Sequence, residues 1–235
     1  MMSHQAINQS STQRGSAFFY ILLAVVLLAA LAYAISSSLR GNSSFSSENT
    51  KVLASDVIAS GTRMKEAVDR LKLRGIAENA LSFENSFVAG YANATCTTNA
   101  CKVFNPEGGG LGDETPTSGI LTGSYNWGFT GNVSIMNVGT NAKELIAFLP
   151  GISAEVCGQI NKLTRTDGAT VTPSLATWNS VNKYTGTYGF GPTVAVADFV
   201  GVKSGCGLAI GLTGTAVTGS PLANVYTYYV VLIAN

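Results

Sequence analysis

The sequence predicts an α+β protein: a long N-terminal helix, first membrane-spanning and then amphipathic, followed by a β-rich domain stapled by disulfides. Three observations predict it. Residues 17–35 form an uncharged apolar run, residues 53–71 carry apolar side chains at helical spacing, and the chain beyond about residue 80 combines glycine-rich turns with β-branched and aromatic segments and holds all four cysteines.

The apolar run reads AFFYILLAVVLLAALAYAI. As a helix it spans about 28 Å, close to the ~30 Å hydrocarbon core of a bilayer. Ala24, Ala29, Ala30, Ala32 and Ala34 are small enough to let another helix approach closely. Ahead of the run lies a leader, MMSHQAINQSSTQRG, which is polar, carries no acidic side chain and ends in Arg14-Gly15. An ordinary secretory signal would be cut after the apolar run, at a small-x-small sequence, and Ala32-Tyr33-Ala34 offers one. Against that reading, the run exceeds the usual signal length and a helical pattern resumes after Arg40.

Residues 36–47 are small and polar and predict a flexible hinge or a weakened helical turn, with Gly41 its soft point. Leu53, Val57, Met64, Val68 and Leu71 then recur at intervals of three, four and seven, which is one apolar helical face. Lys51, Asp56, Arg63, Lys65, Glu66 and Asp69 fill much of the remainder. The second helix is expected from Glu48 to Arg74, stopped by Gly75.

Further on, Cys101 to Gly110 predicts a short strand running into a glycine loop, and Tyr125 to Met136 a strand pair broken at Gly131. Asn141 is expected to cap a short helix over 142–148, ended by Pro150-Gly151. Ser153 caps another that reaches about Leu163 and carries Cys157. Tyr226 to Ile233, rich in aromatic and β-branched residues, predicts a buried closing strand. The chain divides into a leader (1–15), an apolar helix (16–40), a hinge with an amphipathic helix (41–75) and a globular β-rich domain (76–235).

Charged residues make up 11% of the 235 and the net charge is +1, so no basic field recruits nucleic acid. An apolar content of 46% exceeds that of disordered chains. Four cysteines allow three pairings. Cys96–Cys101 with Cys157–Cys206 is preferred, because the first two are already held close by the chain. Free thiols or a zinc site are the alternatives, although zinc favours tighter Cys-x-x-Cys spacing and no histidine lies nearby.

Arg14-Gly15 followed by Ser16-Ala17-Phe18-Phe19 resembles the class III signal of type IV pilins and pseudopilins. The resemblance implies that a prepilin peptidase cuts after Gly15 and leaves Ser16 as the first mature residue. It further implies a two-part helix whose second half packs on an antiparallel β-sheet, and an assembly helix that includes Phe18, Phe19, Tyr20, Ala24, Ala29 and Ala30. Most of that family carries a glutamate five residues after the cut, and this chain has Tyr20 there, as some minor, tip-located pseudopilins lack the glutamate. The pieces RGSAFFYILLAVVLLAALAYAISSS, SFENSF, VFNPEGGG, LPGISAEVCGQIN and YTYYVVLIAN also resemble a group of uncharacterised alphaproteobacterial pilin-like proteins.

The one histidine, His4, lies in the leader, which leaves no base for a serine or cysteine triad and no histidine metal site in a mature chain. Gly108-Gly109-Gly110 lacks the Gly-Lys-Ser/Thr of a phosphate loop and reads as a turn. Asp113-Glu114 could contribute to calcium binding, but two acids do not supply six or more oxygens. Glu84 and Glu107 have no partner at a fixed spacing that would make a glycosidase pair. Trp127, Trp178, Tyr184 and Tyr188 could form a surface patch, and more often such residues are core. No enzyme, cofactor or metal site is expected.

The expected function is a structural subunit, pilin or minor pilin or pseudopilin, of a type IV pilus or type II secretion pseudopilus. Its expected partners are the inner membrane before assembly, prepilin peptidase, an assembly platform and other pilin-like subunits in a homo- or hetero-polymer. Its expected location is the inner membrane, with the C-terminal domain extracytoplasmic, and then a periplasmic pseudopilus or extracellular filament. The competing expectation is a non-polymerising, membrane-anchored binding protein or adhesin.

Overall fold

The computed structural model describes residues 15–39, 42–164, 174–175, 181–195, 197–212 and 224–235. The chain divides into two compact units, Met1–Glu48 and Asn49–Asn235. The first contains α1 (Gly15–Leu39) and the start of α2 (Asn42–Leu73). Helix therefore occupies most of 36–47, the helical one of the two readings expected for that segment. Only residues 40–41, which lie outside the described residues, separate the two helices.

α2 ends as its sequence dictates. Gly75 takes φ 84°, its N–H donates to Lys72 O at 2.9 Å, and Ile76 N–H donates to Leu71 O at 3.1 Å. This is the paired-bond stop that a left-handed glycine permits. The inward face carries Ala54, Val57, Met64, Ala67, Val68 and Leu71, all buried. Gly61 sits within that face, so close to the sheet that a Cβ there would lie 2.7 Å from the Tyr228 hydroxyl and 3.1 Å from a Val230 methyl.

The second unit is α+β. Its strands are β1 (Gly128–Ile135), β2 (Glu144–Ile152), β3 (Ser174–Leu175), β4 (Thr193–Val194), β5 (Ser204–Ala209) and β6 (Val225–Ile233). They form one sheet in the order β3-β5-β6-β2-β1-β4. The four central strands are antiparallel, while the two-residue edge strands β3 and β4 join in parallel. The sheet is thus mixed, where a wholly antiparallel one was expected.

β2 replaces the helix expected over 142–148. Every residue from Glu144 to Ile152 is buried, because β2 lies between β1 and β6 and both sheet faces are covered. Leu145, Ala147 and Leu149 join the core beneath α2, and Ile146 and Phe148 join the core on the other face. A strand buried on both sides loses the alternation that would mark it, and a short continuous apolar run then reads equally well as helix. Tyr125 to Met136 likewise yields one strand, β1, whose register shifts between Thr130 and Val133.

β6 alternates in the same way: Tyr228, Val230 and Leu232 face the α2 side, Tyr229 and Val231 the other. Irregular chain supplies the second cover through Val138, Val181, Phe199 and Leu212. α3 (Ala154–Thr164) begins where Ser153 predicts: Val156 N–H donates to Ser153 Oγ at 3.3 Å.

Both expected disulfides are present, Cys96–Cys101 and Cys157–Cys206. The first closes a short loop that includes a 3-10 turn at Asn99–Cys101, so the strand expected at Cys101 is absent. The second fastens α3 to β5.

Candidate functional site

α1 is the most unusual surface of the described chain. From Phe18 to Tyr33 every side chain is exposed, including Phe18 at 73% and Tyr33 at 78%. Apolar residues lie on all sides of this helix, which is the pattern of a helix meant for lipid or for the interior of a helical bundle. Phe19 and Tyr20 meet edge to face, centroids 6.2 Å apart. At about 100° per residue, Ala24, Ala29 and Ala30 fall on separate sides of α1 and form no single stripe. Among the described residues no helix is long and apolar enough to cross a membrane, and the described side chains of α1 cover 18–33, short of the 17–35 run. Gly15 and Ser16 open α1, whereas Arg14 and His4 lie outside the described residues.

The triple glycine is a structural turn. Its amides are consumed internally: Gly108 N–H and Gly110 N–H donate to Asn105 O, and Gly109 N–H donates to Lys102 O. Its carbonyls face cations instead. Arg74 Nη1 donates to Glu107 O and Gly108 O at 2.8 and 2.9 Å, and Arg70 Nη1 donates to Gly109 O at 2.8 Å. A phosphate cradle needs the opposite polarity, with N–H groups pointing at the ligand.

Of the acids singled out in the sequence, Asp113, Glu114 and Glu84 are engaged in structure. Glu114 accepts from Arg63 Nε and Nη2 at 2.9 and 2.7 Å and from Ser60 at 3.0 Å. Asp113 accepts from Ser86, and Asp56 from Thr117. These bonds, with Gly110 beside Arg70 and Gly119 beside Leu53, lay the 110–120 segment along α2 from its C-terminal to its N-terminal part. Glu84 pairs with Lys102. Among the described residues no group of three or more histidine, cysteine, aspartate or glutamate side chains could hold a metal ion.

The aromatics proposed for a surface patch divide. Trp127 and Tyr184 are buried, and Trp178 lies outside the described residues. Tyr188 is half-buried, donating to Glu78 Oε2 at 3.0 Å, while Tyr184 donates to Glu78 O at 2.6 Å. Phe83 stacks on Phe129 at 4.3 Å, and Phe104 and Tyr91 pack on the same ring. The SFENSF and VFNPEGGG segments therefore supply the core beside α2. Their asparagines close turns: Asn85 Oδ1 accepts from Phe87 and Val88 N–H, and Asn105 Oδ1 from Glu107 N–H.

Two features escaped sequence reasoning. A shallow hollow of about 160 Å³ is lined by Ser134, Ile135, Met136, Thr140, Asn141 and Thr193. Beside Ile135, Glu144 is a fully buried carboxyl, whose only sequence signal was one acid at the head of an apolar run. Burial pushes it up to about 7, against the opposing hydrogen bonds from the Ile135 amide and its own amide and the charge of Lys143.

Together these define an α+β unit with a mixed sheet and two disulfides, preceded in sequence by an apolar helix. No protein-family model, curated protein or solved structure matches the chain.

Proposed function

We propose that this chain is a structural subunit, a pilin or a minor pilin or pseudopilin, of a type IV pilus or type II secretion pseudopilus. The observation that carries the reading is α1, apolar on every side and exposed from Phe18 to Tyr33. Such a surface requires lipid or a bundle of like helices. Arg14-Gly15 stands at the N-terminal end of this helix in the sequence, the arrangement a prepilin peptidase cuts. The membrane-crossing length comes from the 17–35 run of the sequence. Two disulfides favour an oxidising compartment for the second unit, in keeping with an extracytoplasmic domain.

In this reading the helix first resides in the inner membrane and an assembly platform then draws it into a filament. Tyr20 removes the carboxylate that would have paired with a neighbouring amine, which favours a minor subunit over the main building block.

The mature N-terminus decides the reading. Intact mass and N-terminal sequencing are expected to find a start at Ser16, and Gly15→Glu should abolish that processing. A full-length N-terminus would instead support the membrane-anchored binding protein or adhesin, and a start near Ile35 a secreted protein. Electron microscopy of purified filaments should find the chain in them, sparse if it is a minor subunit.

A further inference from the structure

Glu144 opens β2 opposite Val133. An antiparallel ladder continued past this pair would set a β2-side carbonyl against the Ile135 N–H, but β2 begins at Glu144 and has none there. The side chain fills the place: Glu144 Oε2 accepts from Ile135 N–H at 3.0 Å. Its second oxygen, Oε1, is buried and has no hydrogen-bond partner among the described residues.

The surroundings offer this carboxyl little charge. β1 brings Val133 and Ile135, which belong to the apolar cluster on the face away from α2, and the 136–143 turn carries one charged residue, Lys143. Lys143 commits its ammonium elsewhere, donating to Gly191 O at 2.7 Å, Ser134 Oγ at 3.1 Å and Pro192 O at 3.3 Å. The same turn holds Asn235, whose Nδ2 donates to Lys143 O at 2.7 Å and whose carbonyl accepts from Thr140 N–H.

We propose that Glu144 is a proton-controlled latch on the 136–143 turn. Protonated, it closes the end of the β1–β2 ladder with a neutral group. Ionised, its buried oxygen must be hydrated, and water enters only if the turn opens. Opening loosens Asn235, Gly191 and Pro192, which are anchored to that turn.

The sign follows from burial. The carboxyl is raised from its ordinary 4.5 to about 7 in the folded chain, so the folded state holds the proton more tightly than the unfolded state. The contribution to stability is complete below the ordinary carboxylate range. It is lost as pH rises toward 7.

Thermal unfolding of the full chain in detergent micelles, unmodified and as Glu144→Gln, tests the latch. Between about pH 5 and 7 the unfolding constant of the unmodified chain should rise, relative to Glu144→Gln, by about tenfold per pH unit. Above neutrality its Ile135 and Thr140 amides should exchange faster than those of the variant. A difference between the two proteins that stays flat with pH overturns the proposal. Should the variant fail to fold, carboxyl NMR titration of the unmodified chain decides: one glutamate titrating near neutrality, together with a shift of the Ile135 amide, supports the latch. Titration of every glutamate below about pH 5.5 ends it.

Discussion

Asn161 on α3 grips the backbone of Cys206 on β5 with both ends of its amide: Nδ2 donates to Cys206 O at 2.7 Å, and Oδ1 accepts from Cys206 N–H at 2.8 Å. One helical turn earlier, Cys157 is joined to the same Cys206 by a disulfide. Positions four apart share a helix face, so the covalent and polar ties converge on one residue of the strand. Both hydrogen bonds are buried, and Asn161 is fully enclosed.

Asn161→Leu should therefore leave the Cys206 N–H and carbonyl without their side-chain partners and cost about 2–3 kcal/mol. Denaturant unfolding measures it. In a double-mutant cycle with Cys157→Ala/Cys206→Ala the two losses should fall short of additivity, because each tie holds the geometry of the other.

Removing the Cys157–Cys206 bridge, which spans a sequence separation of 49, should cost about 4 kcal/mol in the loop-entropy model. Removing Cys96–Cys101, with a separation of 5, should cost about 2 kcal/mol on the same basis. Urea midpoints of the two double-alanine variants give the order.

Gly108→Ala places a Cβ 2.1 Å from the Lys102 carbonyl oxygen, and Gly109→Ala places one 2.4 Å from that of Val103. Backbone cannot yield as a flexible side chain does. Each should destabilise by about 2 kcal/mol or more. Gly112→Ala, which meets nothing within 4 Å, serves as the control, and thermal unfolding compares the three.

At high pH the buried tyrosines become a liability. Burial pushes the Tyr228 hydroxyl up to about 12, and burial with the nearby Glu78 charge does the same to Tyr184. Tyr91 is raised further by burial. Since the unfolded chain ionises these phenols first, the stability they contribute is present below about pH 10 and lost as pH climbs toward 12. Phenolate absorbance should show a late, cooperative rise that coincides with loss of structure.

Local physics made much of this fold legible. The Gly75 stop, the Ser153 cap and the α2 face depend on neighbours within a few positions, and each appears where the spacing predicts it. The Cys96–Cys101 bridge follows from the same proximity along the chain. β6 was visible because its aromatic and β-branched residues favour an extended chain. The helical character of the apolar run was legible as well: Ala17 to Ile35 lies within α1.

Tertiary structure decided what depends on distant partners. Glu144 to Ile152 became strand because β1 and β6 flank it and both its faces are covered, a circumstance that no window of sequence records. The triple glycine was readable as a turn, but its clamping by Arg70 and Arg74 is set by how far α2 runs before Gly75 ends it. Nothing local in the sequence marks Asn161, whose partner Cys206 lies on β5. Glu144 is held above the usual carboxylate range by burial, against the Ile135 N–H bond, and only the folded sheet supplies that burial. Periodicity and caps are written along one stretch of chain, whereas burial and strand pairing arise between stretches, and only the fold brings those together.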